Sequence, residues 1–260
     1  MTGDVEAFPP ALSVIAGHTY TGHAQVFNRW FLPTYRTSFR WTGNRSDAED
    51  ATSWVFANAV RCIALPERVS VVDDGVYDAT LEAASRHWSD RYGVHPLRCA
   101  EIYASDAAIS DQAVLTLETL VEDLSAEMRL VIVLRFLRKR HMSAIAVQLG
   151  VPQSTANDHL YTALSRVAER IGLDAMAGHQ AQAGLVAGFV DALVGKRRPL
   201  RFEVAPPAWP ALVAATHLHA AVAGNDLPRP QFVRVLRESF QAGDTRRPRR
   251  HVTHLRIWSA

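Results

Sequence analysis

Ser143-Ala-Ile-Ala-Val-Gln-Leu-Gly-Val-Pro-Gln-Ser-Thr-Ala-Asn-Asp-His-Leu160 decides the fold class. Ile145, Ala146 and Leu149 line one side of a short helix. Gly150 permits the left-handed conformation that closes it, and Val151 plugs the corner. Pro152 presets the backbone entering a second helix, where a missing amide hydrogen does little harm. That helix repeats Leu160, Leu164, Val167 and Ile171 at spacings of 4, 3 and 4. Two helices joined by a short glycine turn give the DNA-reading helix-turn-helix, whose second helix enters the major groove by its N-terminal end. Its exposed candidates are Gln153, Ser154, Thr155, Asn157, Asp158 and His159. Gln and Asn pair bidentately with adenine, and Ser or Thr reach bases or phosphate. The first half of the helix holds no Lys or Arg, so Arg135, Arg138, Lys139, Arg140 and Arg166 are the candidates for phosphate contacts. A plain helical hairpin in a bundle is the alternative reading.

Outward from this motif, helical periodicity dominates and predicts an all-α chain. Val26, Phe27, Trp30, Phe31, Tyr35 and Phe39 mark one face of a helix within 22–41, with a kink or break predicted at Pro33. Thr42-Gly43-Asn44 reads as a turn, and Ser46 or Asp47 as the cap of a helix over 48–64. A further helix spans 76–92. The expected organisation is an N-terminal segment (1–21), a helical domain (22–92), a linker (93–112), a helix-turn-helix domain (113–173), a helical C-terminal extension (174–244) and a basic tail (245–260).

The 260 residues carry 48% hydrophobic and 21% charged side chains, ordinary globular usage that excludes wholesale disorder, collagen and coiled coil. No run of eighteen apolar residues occurs, the first twenty residues do not read as a signal peptide, and there are two cysteines, so a soluble cytoplasmic protein is expected. The net charge of +2 hides an asymmetry: from Asp174 onward twelve Arg and Lys face six Asp and Glu. Arg246, Arg247, Arg249, Arg250 and Arg256 in the tail suit a polyanion or an acidic protein face, or a solvated terminus. His95 and Cys99 have metal-ligand spacing, but Ile102 stands where the next cysteine would. No GxGxxG, Walker or GxSxG motif occurs, and neither catalytic residue, metal nor cofactor is expected.

Residues 22–172 resemble a sigma factor of the extracytoplasmic-function group within the sigma-70 family. The likeness rests on FNRWFLPTYRTSFRWTGNRSDAEDATSWVFANAV, with its Ala48-Glu49-Asp50 triplet, and on LETLVEDLSAEMRLVIVLRFLRKRHMSAIAVQLGVPQSTANDHLYTALSRVAERI. The resemblance implies a non-enzymatic initiation subunit that docks on core RNA polymerase and recognises and melts promoter DNA. It places Glu49, Asp50, Ser53 and Phe56 on the polymerase-docking helix, although Val55 and Phe56 read from spacing as core, and Ser53 stands where Gln is usual. Arg86, Trp88 and Arg91 fall where the family opens DNA, a mixture of cations and aromatics suited to phosphates and unstacked bases, with Trp88 reading equally well as core. Ala144 replaces the usual Glu, and Asn157 and His159 replace basic residues, so promoter preference does not transfer. Control by an anti-sigma factor or by the C-terminal segment is compatible with this reading. The extension itself reads either as a small bundle packed on the second domain or as a cover over the polymerase-facing helices. A stand-alone helix-turn-helix regulator, independent of polymerase, is the competing function.

Overall fold

The computed structural model describes residues 23–63, 73–93, 116–173, 182–199, 205, 208–222 and 224–243. Among them every element is helical. The first domain is a bundle of α1 (His23–Thr42), α2 (Arg45–Ile63) and α3 (Asp73–Tyr92). Phe27, Phe31, Tyr35 and Phe39 recur every four residues along α1 with Val26 beside them, and all are buried. Of the kink or break predicted at Pro33, the break does not occur: α1 runs through it. The cap of α2 also differs, because Asn44 Oδ1 accepts from the Ser46 and Asp47 amides at 3.0 and 3.3 Å, two residues upstream of Ser46, the nearer of the expected caps. Trp88 Nε1 donates to the Trp41 carbonyl at 3.0 Å and pins α3 to the end of α1.

The second domain comprises α4 (Leu117–Val121), α5 (Ala126–Ile132) with a π turn over Val133–Leu137, α6 (Met142–Leu149) and α7 (Gln153–Arg170). Thr116 caps α4 and Ser125 caps α5 through their side-chain oxygens. Arg129 donates to the Val121, Glu122 and Leu124 carbonyls at 3.3, 2.8 and 3.1 Å, closing the turn between them.

The extension supplies α8 (Ala183–Val194), α9 (Trp209–Ala221) and α10 (Pro230–Gln241). Helix α9 is apolar on every side and correspondingly buried from Trp209 to His219. It lies between α1 and α7, while α8 packs on α7 and α10 on α1 and α2. One continuous core therefore joins Trp41, Trp88 and Tyr92 of the first domain, Leu160 and Leu164 of the second, and Phe189, Leu193 and Leu212 of the extension. The three expected units thus share a core, with the extension at its centre.

Gly43 shows how close this packing is. Its φ is +62°, and a Cβ there would lie 2.7 Å from Thr216 Cγ2 and 2.9 Å from Leu193 Cδ2. Gly150 has a similar φ of +68° but open space around it. Gly43→Ala is therefore expected to cost about 2–3 kcal/mol, combining left-handed strain with overpacking, and Gly150→Ala about 1 kcal/mol from strain alone. Urea unfolding of the two variants checks this difference, and equal costs would mean that α9 does not press on the α1–α2 turn.

Candidate nucleic-acid interface

The reading end of the second domain follows from its turn. Gly150 adopts the left-handed conformation that the sequence predicts, ends α6, and donates its amide to the Val147 carbonyl at 3.2 Å. The Val151 amide reaches back to Ala146 at 3.1 Å, and its side chain packs against the core. Pro152, in extended conformation, delivers the chain into α7. Ala156, Leu160, Ala163, Leu164 and Val167 then bury one face of α7 completely.

What remains outward is the first turn. Gln153 and Ser154 are exposed; Thr155, Asn157, Asp158 and His159 are half-buried. Asn157 Oδ1 and His159 Nδ1 are screened from solvent and make no hydrogen bond among the described residues. The free amides of a helix N-terminus add a local positive field at this tip. Arg166 is exposed and pairs with Glu169 at 3.0 Å. Arg138, Lys139 and Arg140 are exposed in the turn before α6. Arg135 is different: it is buried, its Nη1 donates to the Arg140 carbonyl at 2.8 Å, and it forms an ion pair with Asp191 of α8. It is a tie to the extension rather than a phosphate contact.

The remaining site expectations fall on the first domain. Arg86 is exposed, pairs with Glu82 at 2.7 Å and lies over the Trp54 ring at 4.9 Å. Trp88 is core in this conformation, with its indole against Tyr92 and Phe189, so no base stacks on it here. Arg91 is turned inward and donates to the Pro199 carbonyl. Of the docking set, only Asp50 is exposed. Phe56 packs against Phe27, Phe31 and Phe240, and Ser53 donates to the Glu49 carbonyl at 2.8 Å. Glu49 is buried beneath Arg229, whose Nε lies 3.0 and 2.9 Å from its two carboxylate oxygens and whose backbone amide is 3.1 Å from Oε1.

Sequence reading missed the cluster beside these residues. Asp47 is 2% exposed and is held by Arg198, with Arg91 at 3.8 Å and His87 at 3.9 Å. Arg198 also lies 3.8 Å from Asp50. The only local signal is an acidic SDAED facing a basic GKRRP far along the chain.

Burial, and then Arg91, push the His87 pKa down to about 3; burial, with Lys196 and Lys139, brings His219 to about 4. Both stay neutral in the fold while the unfolded chain takes up protons below about 6.5. The unfolded state then binds more protons, so stability falls as pH drops from 6.5 toward 4. Each histidine is expected to remove about 1 kcal/mol by pH 5.5. Chemical denaturation at pH 7.5 and 5.5 checks it, with His87→Gln and His219→Gln each losing that part of the dependence.

The fold and this tip define a helix-turn-helix domain. Residues 120–169 match the family model for sigma-70, region 4, and this segment is accordingly a DNA-binding region of the sigma-factor type. No curated protein and no solved structure matches the chain. His95, Cys99, the linker beyond Gly93 and the basic tail lie outside the described residues. Among the described residues no helix is long and apolar enough to cross a membrane.

Proposed function

We propose that the chain is a dissociable subunit of bacterial RNA polymerase, of the extracytoplasmic-function type, that directs initiation at particular promoters. The observation that carries this reading is the region 4 match, laid over a helix-turn-helix whose first recognition turn, with Gln153 and Ser154, stays open. In this reading Gln153 and Asn157 contact base edges, Ser154, Thr155 and His159 make further groove or phosphate contacts, and Arg138, Lys139, Arg140 and Arg166 hold the backbone. The first domain docks on core polymerase through α2, where Asp50 already faces solvent. Arg86 meets displaced single strand at once; Trp88 and Arg91 do so only in a step after docking, when promoter opening draws α8 and the Pro199 segment off the first domain.

The test is in vitro transcription with bacterial core polymerase from the DNA preceding the protein's own coding sequence. A transcript that needs the protein, and that weakens with Gln153→Ala plus Asn157→Ala while polymerase binding persists, is the expected result. Tight unaided binding to duplex DNA with no affinity for polymerase would instead identify a stand-alone regulator.

A further inference from the structure

Helix α2 begins with three carboxylates in four residues: Asp47, Glu49 and Asp50. Such a face suits a cationic partner, yet in this structure its cations come from the same chain. Arg198, just past α8, takes Asp47 and lies near Asp50. Arg229, at the start of α10, takes both oxygens of Glu49 with its guanidinium and one with its amide. Asp226, in the same loop, pairs with Arg36 of α1 at 3.0 Å. The α9–α10 loop is thus fastened across the first domain by charges of both signs.

The attachment is graded. Helix α9 is buried along eleven consecutive residues and α8 buries seven, whereas α10 fully buries only Leu236 and Phe240. The carboxylates of Asp47 and Glu49 are almost wholly covered while that of Asp50 stays half exposed, and the Arg229 side chain is 57% exposed and that of Arg198 39%. Water and salt therefore reach the cationic half of each pair, and such contacts exchange readily with another cationic surface. Among the described residues the recognition turn carries no such cover. Occlusion is thus concentrated on the acidic face of α2.

We propose that α10, with Arg229 and Arg198, is a cis-acting cover over the polymerase-docking face of α2. Arg198 and Arg229 occupy the seat that basic residues of the polymerase take, and docking requires α10 to lift while α8 and α9 remain in the core. The proposal rests on the reading of α2 as the docking helix. It makes the extension a built-in restraint, with the charges of Arg198 and Arg229 set over the acidic start of α2.

The test compares the full-length chain with its Arg198→Gln plus Arg229→Gln variant in direct binding to bacterial core RNA polymerase at about 0.1 M salt, each first checked for helicity by circular dichroism. The variant is expected to bind at least about tenfold more tightly, because its carboxylates lose their internal partners. Equal affinities overturn the cover while leaving α2 as the docking helix. If neither protein binds polymerase, the docking reading fails and the proposal falls with it. Hydrogen exchange on the unaltered chain at saturating polymerase decides the matter even where the variant does not fold. Residues 230–241 should lose amide protection in the complex while 183–194 keep theirs, and unchanged protection of 230–241 in a formed complex overturns the proposal.

Discussion

Leu212→Asp is expected to abolish cooperative folding of both domains together, not merely to loosen the C-terminal extension. Leu212 is completely buried in the middle of α9, in the core that also holds Trp88, Leu164 and Phe189. Losing the leucine forfeits about 2–3 kcal/mol of apolar burial. A carboxylate left unpaired there adds several kcal/mol more, even after relaxation. The total approaches the whole reserve of a typical domain. The control is Leu185→Asp in α8, whose parent side chain is about half exposed and which should cost under about 1 kcal/mol. Thermal melting followed by circular dichroism distinguishes the outcomes. A normal transition surviving in Leu212→Asp would show that the helices of 23–173 stand without α9.

That dependence was not legible in the sequence, although its cause was. Trp209–Ala221 is apolar on all faces, which says that it is surrounded but not by what. A stripe points toward one neighbour; a uniformly apolar helix points nowhere. The helix-turn-helix was legible because its determinants are local: the left-handed glycine, the plug at Val151 and the apolar repeat of α7 lie within thirty residues. Helix α1 was read through its apolar face, yet Pro33 did not break it, since packing against α2 and α3 holds the helix on both sides of the missing amide bond. The surroundings of the expected docking residues were the least legible. Glu49 meets Arg229 across 180 positions of sequence, a pairing that no periodicity encodes. Trp88 carries the same composition whether it stacks on a base or on Phe189, and only the fold chooses between them. Arg135 stood in a basic run beside Arg138 and Lys139, yet it is buried in the core.

Arg135 supplies the second large effect. Its side chain is 2% exposed and is neutralised by Asp191 from the extension, whose own side chain is 33% exposed. Asp191→Ala is expected to cost about 3 kcal/mol, the lower end for breaking a buried pair because water can reach the vacated side. Arg135→Met removes the charge but leaves the Arg140 carbonyl without its donor, so it should cost about 1–2 kcal/mol. The double substitution Arg135→Met with Asp191→Leu should then be less destabilised than Asp191→Ala alone, since no uncompensated charge remains in the core. Urea unfolding of these variants gives the coupling directly. Additive costs would mean that the pair does not join the helix-turn-helix to the extension energetically. A coupling above about 1 kcal/mol would locate one of the ties that keep α8 on the DNA-reading domain. It would also supply a mechanical reason for α8 to stay in place in the proposed release of α10, which buries less and is fastened through water-accessible arginines.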